Sequence, residues 1–412
     1  MSGLAFAQAP PPSVPMRFLA TALAWGGVAG LWLVWHGEAA LLSRWTPVTL
    51  VLVHMFALGL LGNAMLGSLV QFLPVAAGSP LPCVPLVPGL YVAFNLGLAL
   101  LLATLAMSSH ALAVPAALLL GGSLALFASL ALAAVVRGRG VRVVREGIGM
   151  AVLALLATAL LGLLLLAART GWRAPAAPGV VDTHAAFGVI GWAMGLLAAV
   201  GGVTLPMLQG TRAPPAAASR AWQIALLLTV GIVVAARAGV LAAEAARIAA
   251  WPFIVFAVTV FVLQARAPHR RNARLRAFWQ AGCAAVLLAG VLAPWPTIPV
   301  MLTGALVLGV GLPLLVVGMA MEITGFLTWI ALRQRMPRGI RVPGVGSLFD
   351  DAGKRHAFVA HVIAGGALAA AVSLPMLARI AGVLVLLAYA ASLHALLRCW
   401  RLSMTWQAPG PD

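Results

Sequence analysis

The sequence predicts an all-α, polytopic membrane protein of about twelve transmembrane helices, and three observations predict it. Of 412 residues, 63% are hydrophobic and 8% charged, where a soluble chain carries roughly 25% charged residues; the mean hydropathy is +1.06. Twelve apolar runs each approach the ~20 residues that a helix needs to cross hydrocarbon. Arginine-rich loops recur after even-numbered runs. A water-soluble enzyme is excluded by this arithmetic. The excess of 26 Lys and Arg over 8 Asp and Glu, a net charge of +18, belongs to loops beside the membrane and implies no nucleic-acid partner. Cys83, Cys283 and Cys399 are far apart and form no CxxC pair, so neither a disulfide framework nor a thiolate metal site is expected.

The runs fall at 17–36, 48–74, 86–107, 112–136, 147–168, 181–207, 221–242, 247–265, 277–294, 298–325, 357–377 and 380–398. Each is expected to be helical, because backbone polar groups find no water in lipid. The start of the chain is Pro-rich, with no basic segment ahead of the first run, so that run reads as a retained span and not as a cleaved signal. The expected organisation is a cytoplasmic segment 1–16, one transmembrane domain 17–398 and a cytoplasmic tail 399–412. The longest connection, about 331–356, is basic and rich in Gly and Pro, and no gap holds a soluble domain.

Charge sets the orientation. Arg137, Arg139, Arg142 and Arg145 follow span 4, and Arg266, Arg270, Arg271, Arg274 and Arg276 follow span 8. Arg333, Arg335, Arg338, Arg341, Lys354 and Arg355 follow span 10, and Arg398 and Arg401 close span 12. All lie on one side, which the positive-inside rule makes cytoplasmic, with both termini. Arg169 and Arg173, between spans 5 and 6, depart from the pattern. Trp45, Trp172, Trp251 and Trp295 sit where interfacial anchors are expected, and the basic loops are expected to meet anionic headgroups.

Ionisable residues within spans are costly and are the functional candidates. They are His54 in span 2, His184 in span 6, Glu322 late in span 10, His361 in span 11 and His394 in span 12; His36, His110, His269 and His356 fall at span ends or in loops. Spans 2 and 6 resemble each other. Each opens on its histidine at the outer side, continues through Gly-rich apolar sequence and reaches a Leu-Pro about twenty residues on, at Pro74 and Pro206. In span 6, Gly188, Gly191, Gly195 and Gly202 follow His184 along one helical face. Two readings stand. The stripe is a small-residue seam for close helix packing, or it leaves room for a flat cofactor with the imidazole as axial ligand. Glu322 reads as an interfacial carboxylate, neutral or paired with a base of the following loop, or as a proton or cation site. Glu244 is expected to pair with Arg237 or Arg247 in a solvated hairpin.

Span 2 resembles the second helix of haem-copper oxidase subunit I, with His54, Gly67, Pro74 and Gly78 in the matching places. The resemblance implies that His54 ligates a low-spin haem. Span 6 is similar to the sixth helix of the C-type branch, through His184, Ala186, Gly188 and Pro206; the resemblance implies a copper ligand at His184. Gly318-Met319 preserves a family-like inner half of span 10. The span count, inside termini and outer histidines agree with the same family, which places the chain in a bacterial inner membrane. Departures are as informative. Span 7, QIALLLTVGIVVAARAGVLA, lacks the family's His-His pair, and IPVMLTGALVLGVGLP of span 10 lacks both of its histidines. Terminal oxidase or nitric oxide reductase activity is therefore not expected. The NnrS-type haem and copper membrane proteins are a weaker comparison, since their histidine motifs match less closely.

The expected function is that of a redox-associated membrane protein holding haem b or copper through His54 and His184, linked to respiration or nitrogen-oxide metabolism, with a respiratory-chain partner beside the lipid bilayer. Two alternatives remain open, both without a cofactor: a permease for a small solute, and an assembly scaffold that kept the fold and lost the chemistry.

Overall fold

The computed structural model describes residues 10–174, 176–337 and 339–407. Arg338 of the basic loop, residues 1–9 of the N-terminal segment and 408–412 of the tail lie outside the described residues. Among the described residues there is no strand, and twelve helices are long and apolar enough to cross a membrane: Ser13–Ala40, Pro47–Ala76, Val84–Met107, His110–Arg137, Arg142–Arg169, Pro178–Gln209, Ala216–Arg237, Ala243–Ala265, Ala273–Leu292, Val300–Arg335, Asp351–Ser373 and Pro375–Thr405. These are spans 1 to 12, the architecture of a multi-pass membrane protein. Their outer surfaces support it: Leu31, Leu160, Leu228 and Leu387 are 54, 67, 59 and 58% exposed, a burden in water but the normal condition against lipid tails.

Helix starts follow local chemistry. Thr46 caps span 2, its hydroxyl accepting from the Thr49 amide at 3.3 Å, and Pro47 occupies the first helical position. Pro178 likewise occupies the first helical position of span 6, where the preceding Ala177 supplies no side-chain cap. Asp350 caps span 11, accepting from the Ala352 and Gly353 amides at 3.2 Å each. That cap starts span 11 six residues before the expected 357, so Lys354 and Arg355 are helical and not loop residues. Span 7 ends at Arg237 and not at 242, because Gly239 turns left-handed at φ 78°. Span 10 continues ten residues past 325, and span 12 extends to Thr405, so the first part of the expected tail 399–412 is helical.

The spans are not uniformly α-helical. Met55–Gly62 in span 2, Ala117–Gly121 in span 4, Phe187–Met194 in span 6 and Ala305–Gly311 in span 10 are π-helical. Such turns are rare and often mark functional sites. Spans 2 and 6 now match segment by segment: a proline start, an α-helical stretch carrying the histidine, eight π residues, and an α-helical stretch holding Pro74 or Pro206.

The described chain divides into two compact units. The first comprises 72–271 and 287–298. Within it, spans 3 and 4 approach so closely that a Cβ on Gly97 would strike the backbone of Leu120; spans 5, 6 and 7 pack together, with Ala186, Ile190, Leu226, Val230 and Val233 as one buried cluster. The second comprises 10–71, 272–286 and 299–407 of the described residues. Its central contact joins spans 1 and 12 backbone to backbone: a Cβ on Gly30 would lie 2.8 Å from the Gly382 oxygen, and one on Gly382 would lie 2.7 Å from the Val34 nitrogen. Two small residues facing each other let helices touch without side chains between them.

Candidate functional site

His54 is the last residue before the π segment of span 2. Its Nδ1 lies 2.7 Å from the Leu50 carbonyl oxygen, one turn back. A carbonyl only accepts, so Nδ1 carries a proton, and in the neutral ring Nε2 then holds the lone pair. His184 reaches the same tautomer through a different partner, with Nδ1 3.0 Å from the Thr158 carbonyl oxygen of span 5. Both rings are half-buried. Metal-ligating imidazoles are oriented this way, with one ring N–H given to a carbonyl or carboxylate. His110, exposed at the start of span 4, makes the same bond to the Thr170 carbonyl oxygen at 2.8 Å. His54 belongs to the second unit and His184 to the first.

The glycine stripe below His184 is a packing seam as far as Gly195, whereas a Cβ on Gly202 would meet nothing within 4 Å. A Cβ on Gly188 would lie 3.2 Å from Thr158, one on Gly191 2.7 Å from Ala154, and one on Gly195 3.6 Å from Ala151; across from the histidine, a Cβ on Gly162 would lie 3.2 Å from its Cε1. Span 5 therefore fills the face that a flat cofactor would need. In span 2, a Cβ on Gly59 would lie 2.8 Å from Trp25, and one on Gly67 would strike Phe18. The side of span 2 that carries these two glycines is closed by span 1.

Glu322 has a buried partner. Lys354 Nζ lies 2.6 Å from Glu322 Oε1, with the lysine and glutamate side chains 9% and 10% exposed. The ammonium is also 5.5 Å from the centre of the Phe349 ring. Two turns along span 11, buried His361 places Nε2 2.9 Å from Ser392 Oγ of span 12, and its ring meets the edge of Tyr389 with centroids 4.6 Å apart. Nearer the end of span 12, Cys399 Sγ is 3.6 Å from Thr328 Oγ1 of span 10. Spans 10, 11 and 12 thus gather Glu322, Lys354, Thr328, His361, Tyr389, Ser392 and Cys399 within the second unit. His394 is exposed.

Tyr389, Ser392 and Thr328 are additions to what the sequence singled out. Tyr389, Ser392 and Cys399 lie three and then seven residues apart, and Lys354 and His361 seven apart, so each set shares a helical face; that spacing was the signal available. At the end of span 7, Arg237 pairs with Asp182 of span 6 at 2.9 Å and not with Glu244.

Among the described residues, no group of three or more His, Cys, Asp or Glu side chains is placed to hold a metal ion. No protein-family model matches the chain, and no curated protein matches it. The class defined by fold and site is a multi-pass helical membrane protein with three carbonyl-anchored histidines, His54, His110 and His184, and a buried charge pair.

Proposed function

We propose that this is an integral membrane protein of the haem-copper oxidase subunit I-like class that lacks the terminal oxidase site and holds one haem b through an imidazole, His54 in the first place and His184 in the second. The observation that carries the reading is the shared tautomer. At both positions a backbone carbonyl holds Nδ1–H, which makes Nε2 the ligating atom. A haem iron needs as little as one such ligand from the protein. A copper centre with three or more ligands drawn from His, Cys, Asp and Glu does not fit the described residues. The filled seam along span 6 restricts a cofactor at His184 to the other sides of that helix. Bound haem would supply one-electron chemistry; the chain supplies an oriented imidazole. The basic loops then face the cytoplasm, the membrane is a bacterial inner membrane, and the partner is a component of respiration or nitrogen-oxide metabolism.

The test is the visible spectrum of the purified protein from haem-replete cells, with metal analysis. A Soret band is expected, and His54→Ala abolishes or shifts it while Asn95→Ala leaves it in place. A colourless protein, or a band unchanged in both His54→Ala and His184→Ala, overturns the proposal.

A second reading, a permease for a small solute, is favoured by the buried Lys354–Glu322 pair and His361, since charged groups inside transporters mark their pathways. A cofactor-free sample whose melting temperature rises with a particular solute would support it.

A further inference from the structure

The end of the first unit that bears the arginine loops contains a turn whose buried polar atoms lack partners. Span 6 ends at Gln209, Gly210 turns left-handed at φ 71°, and Thr211 and Arg212 follow. A Cβ on Gly210 would strike the His269 carbonyl oxygen, and the Arg271 amide donates to the Gln209 carbonyl at 3.3 Å. The turn is thereby pressed against the exit of span 8. Gln264 Nε2 donates to Gln209 Oε1 at 2.8 Å. Gln209 Nε2, Thr211 Oγ1 and Gln264 Oε1 have no hydrogen-bond partner, although these residues are only 1, 6 and 1% exposed. Native folds rarely leave such groups unmatched.

The surrounding charge has one sign. Arg212, Arg266, Arg270 and Arg271 are exposed, and none forms an ion pair among the described residues. Glu146, at the start of span 5 in the same unit, is taken by Arg142 at 2.7 Å and Arg220 at 3.4 Å. Two buried donors, one buried acceptor and unpaired guanidinium groups suit an oxyanion that also carries a hydroxyl.

We propose that the turn 209–212 and the span 8 exit 264–271 bind the headgroup of an anionic phospholipid. Phosphate oxygens accept from the Gln209 amide and the Thr211 hydroxyl, the arginines neutralise the charge, and a headgroup hydroxyl donates to Gln264 Oε1. The place favours a lipid over a free anion, because the ends of spans 6 and 8 lie at headgroup depth.

The test uses the full chain in a neutral detergent, titrated with phosphatidylglycerol, with phosphatidylcholine of the same acyl chains, and with inorganic phosphate alone, following thermal unfolding. Phosphatidylglycerol is expected to raise the midpoint and the other two are not. Thr211→Val, which changes no charge, and Arg271→Gln each weaken the phosphatidylglycerol response about tenfold, whereas Arg139→Gln, a loss of charge elsewhere at this end, shifts it less than about twofold. Without lipid, Thr211→Val unfolds no earlier than the native chain, since the hydroxyl it removes has no partner there. Equal stabilisation by phosphatidylcholine, the full effect from inorganic phosphate, or an unchanged response in both Thr211→Val and Arg271→Gln overturns the proposal.

Discussion

Replacing Lys354 by methionine removes one half of the Lys354–Glu322 pair and keeps most of its volume. At 2.6 Å, the attraction between unit charges is about 6 kcal/mol for an effective dielectric constant of about 20. Most of that repays the cost of bringing two charges out of water, so the net worth of the pair is far smaller. The loss on deleting one partner is different in kind, because it strands the other. Breaking a buried pair costs about 3–5 kcal/mol. A loss of about 3–4 kcal/mol is expected for Lys354→Met, and a similar loss for Glu322→Gln. Either lowers the midpoint of thermal unfolding in detergent by roughly 4 °C. The double variant has no stranded charge and recovers most of the loss. Single variants that unfold within roughly 2 °C of the native protein, or a double variant as unstable as the singles, refute the reasoning.

The Arg237–Asp182 pair provides the contrast: its side chains are 36% and 16% exposed, and Asp182→Asn is expected to cost no more than about 1 kcal/mol in the same melt. Gly382→Ala drives a methyl into the backbone of span 1 and is expected to cost about 1–3 kcal/mol. Gly366→Ala, where a Cβ meets nothing within 4 Å, is expected to be neutral or slightly stabilising; equal melts for the two would remove the backbone contact. Cys83 is exposed whereas Cys283 and Cys399 are buried, so a membrane-impermeant maleimide should label Cys83 in inverted vesicles and not in intact cells. Labelling from outside would reverse the proposed orientation.

Hydropathy located every span, because the length of an apolar run is a direct measure of what lipid tolerates. It misplaced ends where helix and hydrocarbon part company. Span 10 runs on through Arg333 and Arg335, since a helix needs only its own hydrogen bonds to continue into headgroups. Val240–Leu241 are as apolar as the helix before them, yet Gly239 has already turned the chain. The π segments left no mark, as residue type does not distinguish a bond to the fifth residue from one to the fourth. The glycine face of span 6 was visible in the spacing, but not its occupant; Thr158, Ala154 and Ala151 are small side chains on another helix. Glu322 was visible as a charge in an apolar run. Its partner lies 32 residues away and read as part of a loop until the Asp350 cap made it helical.

The contact between Gly30 and Gly382 ties span 1 to span 12, two helices far apart along the chain. The first unit is assembled mostly from one stretch, 72–271, and can come together as the nascent chain is inserted. The second unit takes spans 1 and 12 as neighbours, so span 1 waits in the bilayer, its bare glycine surface uncovered, while the ribosome adds some 350 residues at about 5–20 residues per second. The second unit therefore cannot close until span 12 has entered the bilayer, and a product stalled before span 12 would leave that surface open to other helices.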